Sequence, residues 1–317
     1  MKTAEFVSPS HPDKICDRIS DSLLDKYLEK DKNARCAIEV CGGHSMIFIT
    51  GEVTSSYTLT DDEIKKVVKD ISGIEEVIIH LNKQSPEISR GVDTGGAGDQ
   101  GIMIGYACSE NEEMVPQEYY LARKLNKEVY KKFPFDGKTQ VTINGTSVRV
   151  VCSFQNAKKE ELESICKDFF NEIGYVIESL HCNPAGDWNI GGLQADAGLT
   201  GRKLAVDNYG PRIPIGGGAF SGKDSTKVDR SAAYMARRIA VDYLKRLNAK
   251  EVYVTLSYAI GYDQPLQATA KVDGAEFEIK DYDLSPNGII SFLELRNPIF
   301  SKTSEWGHMG NDKFNWK

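Results

Sequence analysis

Strand-like and helix-like segments alternate along this chain of 317 residues, in three stretches of similar length. Such a mixture indicates sheets that pack against helices. The chain is also too long for one small hydrophobic core. We therefore predict an α/β or α+β protein with two or three domains.

Hydrophobic periodicity and capping residues define the predicted elements. Ser10-His11-Pro12-Asp13 reads as a helix start, because Pro is favoured near the first helical position. Further helices are expected at 60–71, 117–132 and 158–173, and another after an N-cap at Ser225 or Thr226. Strands are expected at 46–53, 102–107, 140–153 and 251–260, and a polar loop at 88–101.

The composition is that of a soluble globular protein, with 40% hydrophobic residues and no apolar run long enough to span a membrane. The net charge of −7 and the lack of a basic cluster argue against nucleic acid as a partner. The seven cysteines contain no CxxC pair, which favours reduced, mostly buried thiols and a cytoplasmic protein.

Segment 216–227, GGGAFSGKDSTK, is the most informative for function. Its glycines let backbone N–H groups approach an anion, and Lys223 and Lys227 add positive charge beside a helix start. Residues 217–223 fit GxxxxGK, but Asp224 replaces the Ser or Thr that holds magnesium in a P-loop, so that class is set aside. A glycine-rich turn with solvated lysines is the structural alternative.

Segment 96–101, GAGDQG, matches GxGxxG, the fingerprint of dinucleotide-binding folds. That fold requires a strand before the motif and a helix after it, whereas here a polar loop precedes it and strand-like IMIGYA follows. We therefore reject the Rossmann interpretation. Asp99 and Gln100 are candidates for polar groups held rigidly between glycines, and a turn with a purely structural role is the alternative.

The predicted first helix places Asp13, Asp17, Asp21 and Asp25 four residues apart on one face. We expect most of this stripe to be a solvated face. Asp13 differs because it lies at the helix start beside a lysine and the imidazole of His11, a setting that suits a magnesium–phosphate site. A simple helix-start acid is the alternative.

Segment 198–203, GLTGRK, has Arg202 and Lys203 side by side after two glycines. A forked guanidinium and a compact ammonium together suit phosphate oxygens. Taken alone, this pair and Lys138 (in FDGKTQV) are better explained as exposed surface charge.

Together these segments resemble the methionine adenosyltransferase (S-adenosylmethionine synthetase) family in their order, their spacing and the identity of their residues. GAGDQG and GGGAFSGKD match its signature motifs, and HPDKI, KQSP, GLTGRK, KVDRSAAY and YAIG support them. The resemblance extends from Glu5 to about Trp316. It implies an α/β fold of the α+β type, with three similar βαβ-containing domains in pseudo-threefold symmetry. We place these domains at 1–93, 94–190 and 191–317.

The resemblance also implies roles for the residues that match the family's motifs. Contacts to ATP are expected from His11, Asp136, Lys138, Asp187, Trp188, Asp196, Arg202, Lys203, Ala219 and Lys223. Of these, the catalytic group comprises His11, Lys138, Arg202, Lys203 and Lys223. The methionine pocket is expected to contain Glu52, Gln84, Asp99, Asp196 and Lys227. Glu5, Asp99 and Asp229 match further active-site acids.

The implied cofactors are Mg²⁺, about two ions per site with Asp13 as a ligand, and K⁺ at Glu39. The implied partners are ATP and L-methionine, with a homodimer or homotetramer that shares its active sites, and neither nucleic acid nor membrane. In this chemistry the methionine sulfur attacks C5′ of ATP, and the leaving triphosphate is then cleaved to pyrophosphate and phosphate. A thioether is already a nucleophile, so the reaction requires stabilisation of growing negative charge rather than a catalytic triad.

The chain departs from the family in several places. It is shorter around 154–180, around 265–290 and after Asn311, and the loop before GAGDQG is nearly absent. Ser225 stands where Pro is usual, and Asp187-Trp188 where a basic residue and Phe are usual. Two rival functions are a kinase that uses the glycine–lysine loop, which would release ADP, and a non-catalytic nucleotide-binding relative.

Overall fold

The computed structural model describes residues 1–83 and 95–317. Gln84 and part of the loop predicted at 88–101 therefore lie outside the described residues. The described helices and strands fall into three successive stretches with a similar order of elements.

The first stretch contains β1 (Lys2–Val7), α1 (Pro12–Lys30), β2 (Arg35–Gly43), β3 (Met46–Thr54), α2 (Asp61–Ser72) and β4 (Glu76–Asn82). The second contains β5 (Gly101–Cys108), α3 (Gln117–Lys132), β6 (Gly137–Asn144), β7 (Ser147–Phe154), α4 (Lys159–Glu172) and β8 (Val176–Cys182). The third contains a 3-10 turn (Gly192–Gln194), β9 (Gly198–Leu199), α5 (Leu204–Asp207), α6 (Val228–Arg246), β10 (Glu251–Tyr258), β11 (Gln267–Val272), β12 (Ala275–Glu278), α7 (Pro286–Phe292) and α8 (Phe300–Thr303).

Each stretch contributes three consecutive strands to one four-stranded sheet. In the first two stretches an antiparallel pair, β2–β3 or β6–β7, is followed by a helix and a parallel strand, β4 or β8. In the third stretch β10, β11 and β12 are antiparallel throughout. These mixed sheets with flanking helices confirm the predicted α/β class with three similar domains.

The fourth strand of every sheet comes from a different stretch. Strand β1 of the first stretch pairs with β6 of the second, and β5 of the second pairs with β10 of the third. Strand β9 of the third stretch pairs with β2 of the first, which closes the cycle. The three sheets are therefore linked by a cyclic exchange of first strands.

The long helices cover the sheets: α1 packs against β2, α3 against β1 and β6, and α6 against β5 and β10. The predicted apolar stripe of the first helix is buried, as shown by Ile15, Ile19, Leu23, Leu24 and Leu28. Helix α1 is covered on nearly all sides, because 14 of its 19 residues are buried. A helix in this position needs partners for every polar side chain it carries.

The other predicted helices and strands are confirmed to within a few residues, but two predictions need correction. The run predicted as one strand at 140–153 is two antiparallel strands, β6 and β7, because Gly145, with φ 61°, lies in a turn between them. Helix α6 begins at Val228 with Lys227 at its N-cap, so neither Ser225 nor Thr226 caps it. The side chain of Asp224 accepts a hydrogen bond from Thr226 N at 2.8 Å, which keeps the chain in a turn for two further residues.

Six of the seven cysteines are buried, as predicted, and Cys41 is exposed. Across residues 1–83 and 95–317, none of the helices combines the length and the apolarity needed to cross a bilayer.

Candidate active site

The start of α1 presents a neutral imidazole. His11 is the N-cap of the helix, and its Nδ1 accepts a hydrogen bond from Asp13 N at 3.2 Å. Burial, reinforced by the charge of Lys203, lowers the pKa of His11 to about 4. The single ring proton therefore lies on Nε2 near neutral pH, and this N–H is a neutral hydrogen-bond donor.

Asp13 gathers two cations from the segment 198–203. Its fully buried carboxylate contacts Arg202 Nε at 2.9 Å and Lys203 Nζ at 2.5 Å, and accepts from Leu199 N at 3.0 Å. Burial alone would raise the pKa of Asp13, but the hydrogen bonds from Lys203 and Leu199 hold it below its ordinary value. The structure thus joins HPDK and GLTGRK, two motifs that are far apart in the sequence.

A third segment, at the start of β6, reaches the same place. The charges of Lys138 and Asp196 both act on His11, and Lys138 pairs with Glu5 of β1 at 3.4 Å. Asp136 accepts a hydrogen bond from Gly192 N at 2.9 Å. Five of the predicted ATP contacts, His11, Lys138, Asp196, Arg202 and Lys203, are therefore neighbours.

The glycine-rich segment 216–224 lies against this cluster. Lys223 forms a β-bridge with Ala37 of β2 and pairs with Asp229 at 2.7 Å. A Cβ atom placed on Gly201 would lie 2.6 Å from the Cβ of Ala219, so the two loops are in close contact at this point. Of the two residues predicted here to contact ATP, Ala219 is thereby placed beside the group, whereas Lys223 lies against β2 and pairs with Asp229.

The residues predicted for methionine are less closely grouped. Lys227 pairs with Asp224 at 2.5 Å, and Asp224 accepts from Cys36 N on β2 at 2.8 Å. Glu52 lies on the neighbouring strand β3, and Asp99 lies in the exposed turn before β5. Within the part of the chain that the structure describes, no hydrogen bond or ion pair joins Lys227, Glu52 and Asp99 to one another. Gln84 lies outside that part.

Asp187 and Trp188 come a few residues before the segment 191–194, which lines a large cleft. Asp187 accepts a hydrogen bond from Lys159 N at 3.0 Å, and Trp188, which is half-buried, donates from Nε1 to Asn183 Oδ1 at 3.3 Å. The next residues lead to Gly191 and Gly192, which line a cleft of about 810 Å³ together with Ser10 and Asp136. A volume of this order is typical of small-ligand sites.

The prediction of a solvated aspartate face on α1 was wrong. Asp13, Asp17, Asp21 and Asp25 are all buried, and each accepts a backbone N–H group. The error arose because acids at four-residue spacing are typical of an exposed face. The apolar residues between them, which surround the helix, were the signal that it is covered on all sides.

Sequence reasoning also missed the buried cations that balance these acids. Lys14 lies between Asp17 at 2.9 Å and Asp207 at 2.5 Å, and Arg230 pairs with Asp21 at 2.6 Å. Burial raises the pKa of Asp207 to about 7, against the opposing charge of Lys14. A buried layer of alternating charges therefore lies directly beneath the candidate site.

The donor set suits a metal ion held jointly with a substrate. Among residues 1–83 and 95–317, no group of three or more His, Cys, Asp or Glu side chains is arranged to hold a metal by itself. Mg²⁺ commonly takes one or two protein carboxylates and completes its shell with phosphate and water oxygens. The ionised carboxylate of Asp13, beside the cations Arg202 and Lys203, fits such a shared site.

Glu39 offers a second anionic oxygen donor. It lies on the exposed face of β2, and partial loss of hydration raises its pKa although the charge of Lys223 opposes this. A single carboxylate whose ionised form is destabilised by burial is compatible with a hard monovalent cation, which takes oxygen ligands.

Comparisons with known proteins cover the whole chain. Models of the S-adenosylmethionine synthetase N-terminal, central and C-terminal domains match residues 1–94, 94–187 and 190–317. S-adenosylmethionine synthase 2 of Rhodospirillum rubrum is 39% identical, with 97% of this chain and 91% of the relative covered. S-adenosylmethionine synthase of a Nitratiruptor species is 37% identical, with 99% and 94% covered.

The fold is also similar to that of a solved structure. That structure is described as an unusual S-adenosylmethionine synthetase from Campylobacter jejuni, and it superposes with a TM-score of 0.89 at 33% identity. The match covers 99% of this chain and 96% of the other.

Proposed function

This chain belongs to the S-adenosylmethionine synthetase family, a family of transferases, and from this premise we propose that it joins ATP and L-methionine to form S-adenosylmethionine. One observation carries the proposal. His11, Lys138, Arg202 and Lys203, from three separate segments, lie around the N-terminus of α1, and Ala219 of the glycine-rich segment contacts Gly201 beside them. Such a concentration of donors in an acidic protein suits a polyphosphate.

In the proposed reaction the methionine sulfur forms a bond to C5′ of ATP while the C5′–O bond breaks and the triphosphate departs. Negative charge then grows on the triphosphate oxygens. Lys203, Arg202 and Lys223 stabilise this charge, and the Nε2–H of His11 donates a hydrogen bond to it. The same donors serve the following hydrolysis of triphosphate to pyrophosphate and phosphate.

Asp13 would hold Mg²⁺, and Glu39 would hold K⁺. Bound magnesium supplies Lewis-acid neutralisation of phosphate oxygens. The chain itself orients the triphosphate: Arg202 and Lys203, which pair with Asp13 in the structure, lie within reach of the same oxygens. Asp136 lines the cleft in which we place the adenosine, and Trp188 lies beside Gly191, which also lines it.

The proposal predicts that S-adenosylmethionine forms only when ATP, methionine and Mg²⁺ are all present. Products are identified by mass spectrometry after each component is omitted in turn. Pyrophosphate and phosphate should accumulate together with S-adenosylmethionine. Accumulation of ADP without S-adenosylmethionine would instead support the kinase, and no turnover at all would support the non-catalytic nucleotide-binding protein.

Trp188→Ala is expected to raise the KM for ATP about tenfold while leaving cleavage of added triphosphate nearly unchanged. We propose that the indole stacks on adenine, and base–aromatic stacking is worth about 1–3 kcal/mol where it has been measured on single strands. Free triphosphate has no base, so its cleavage reports on the integrity of the rest of the site.

Trp188→Phe is the matched control, because it keeps an aromatic face and removes only the hydrogen bond to Asn183. A KM close to that of the wild type is expected for this variant. If each substitution impairs triphosphate cleavage as much as it impairs ATP binding, Trp188 supports the loop and does not stack on adenine.

We also propose that the protein is a homodimer or a larger homo-oligomer. Four exposed residues, Ile78, Phe48, Cys41 and Leu199, are cross-strand neighbours that form a row across the sheet β4-β3-β2-β9. A continuous apolar row on a sheet face is the usual mark of a surface that a partner covers.

Light scattering is therefore expected to give at least twice the mass of one chain, and Phe48→Lys is expected to lower that mass. The reason is that a charge at the centre of the row is costly to bury. Lys66→Glu, on the exposed face of α2, is the control for a change of surface charge. A wild-type protein that is monomeric and fully active at the same concentration would refute the proposal.

A further inference from the structure

The buried carboxylates of α1 form a column along the helix. Asp17 Oδ1 accepts from Gly201 N at 2.8 Å, and Asp21 Oδ1 accepts from Gly222 N at 2.9 Å. With Asp13 on Leu199 N, three successive aspartates each hold one backbone N–H of a loop that carries candidate catalytic cations. Only Asp25, at the far end, holds a different element, the N-terminus of α8.

One turn of α1 separates the two carboxylates that hold the segment 198–203. Carboxylates four residues apart on a helix are separated by about 6 Å along its axis. Asp13 accepts from the N–H of Leu199 at the end of β9, and Asp17 accepts from the N–H of Gly201 in the turn that follows. The two aspartates therefore hold this segment at two points, before its turn and within it.

The glycines at these contacts adopt a backbone conformation that other residues rarely adopt. Gly201 has φ 72° and Gly222 has φ 82°, a region that favours glycine. A Cβ on Gly222 would lie 2.0 Å from the carbonyl oxygen of Ile38. The two loops are thus pressed against β2 and against each other, and their free N–H groups point to the carboxylates.

Fixed positions for these loops matter because they carry Arg202, Lys203 and Lys223. We propose that Asp17 and Asp21 are positioning residues, which hold the loops 198–203 and 216–224 on α1 so that Arg202, Lys203 and Lys223 keep the positions in which they act on triphosphate. The assignment rests on the proposed function. Buried charge balance comes from Lys14 and Arg230, so each carboxylate stays anchored while it accepts the loop N–H.

The first test uses the wild-type protein and does not depend on its activity. Hydrogen exchange resolved at single residues is expected to show that the amides of Gly201 and Gly222 are as protected as those of β2. Loop amides without a buried acceptor exchange close to the rate of free chain. Fast exchange at both glycines would overturn the proposal, even if the enzyme makes S-adenosylmethionine.

The second test separates positioning from charge. Asp17→Ala removes the acceptor for Gly201 N, and kcat is expected to fall about tenfold or more, since a displacement near 1 Å can cost up to a hundredfold. Lys14→Met combined with Asp17→Asn keeps an oxygen for Gly201 N and removes both charges. Asp207, whose pKa is already about 7, can then become protonated. This double variant is expected to recover most of the lost kcat.

Asp25→Ala is the matched control, because it removes an equally buried carboxylate from the same helix but frees α8 instead of a loop. It is expected to lower stability with kcat retained, measured well below the melting temperature of each variant. Equal kcat for Asp17→Ala and Asp25→Ala would overturn the proposal. If Asp17→Ala does not fold, hydrogen exchange of the wild-type protein and the kcat of the double variant still test the proposal.

Discussion

Lys223→Met is expected to lower kcat by about a hundredfold or more while weakening ATP binding much less. Lys223 reaches the site from the glycine-rich segment, where its side chain is about one-fifth exposed and pairs with Asp229. Charge on the triphosphate grows towards the transition state, so the lysine contributes more there than in the ground state. Steady-state kinetics over a range of ATP concentrations give kcat and KM separately.

Lys66→Met is the control, because Lys66 is an exposed lysine of α2 that pairs with Asp70 at 2.9 Å. It should leave both constants unchanged. A normal kcat for Lys223→Met would show that Lys223 is only a surface cation. That result would support the structural alternative, in which the glycine-rich segment is a turn with solvated lysines.

Arg230→Met is expected to produce the largest loss of stability among single substitutions of the buried charges. Arg230 and Asp21 are both fully buried and are joined by two hydrogen bonds, at 2.6 and 2.9 Å. Removing one partner leaves an uncompensated buried charge, which typically costs about 3–5 kcal/mol in the free energy of unfolding. Urea denaturation monitored by circular dichroism measures that free energy.

Arg246→Met on the same helix provides the control, because Arg246 and its partner Asp281 are both well exposed and screened by water. Its effect should be much smaller. Adding Asp21→Asn to Arg230→Met should recover stability, since no charge remains and the amide oxygen still accepts from Gly222 N. Equal losses for Arg230→Met and Arg246→Met would contradict the buried-pair argument.

The secondary structure was largely predictable because its signals are local. The helix 117–132 was predicted at its observed bounds, and the capping pair Thr60 and Glu63 starts α2 as its sequence indicates. The start of α6 was misplaced because Asp224, and not the residues after it, directs the turn. Pairing of β1 with β6 and of β9 with β2 was not visible, since no local pattern encodes a partner so far along the chain.

The structure brings together several of the residues that the resemblance supplied for the candidate site, and their roles stay predictions. The place of Asp13 at the helix start, beside His11 and Lys14, singled it out, yet nothing in the sequence indicated that Arg202 and Lys203 would be its partners. The burial of Asp17 and Asp21 was not predicted, because a charge can be buried only beside a balancing cation. These cations are Lys14, on the same helix, and Arg230, from a distant segment. The roles of the methionine-pocket residues stay predictions.

The cyclic exchange of first strands makes each third of the chain an incomplete folding unit. When only the first stretch has left the ribosome, β6, the partner of β1, has not yet been synthesised. Strand β2 is likewise synthesised before β9, whose Leu199 pairs with Cys41 of β2. Pairings this remote in sequence slow folding, because the entropy of closing the loop is lost before the contact is gained. A nascent chain cut after the first or second stretch would leave unpaired sheet edges, which are templates for aggregation. A piece that lacks any of the three stretches leaves at least one of these sheets without its four strands, so a separated domain should not be stable by itself.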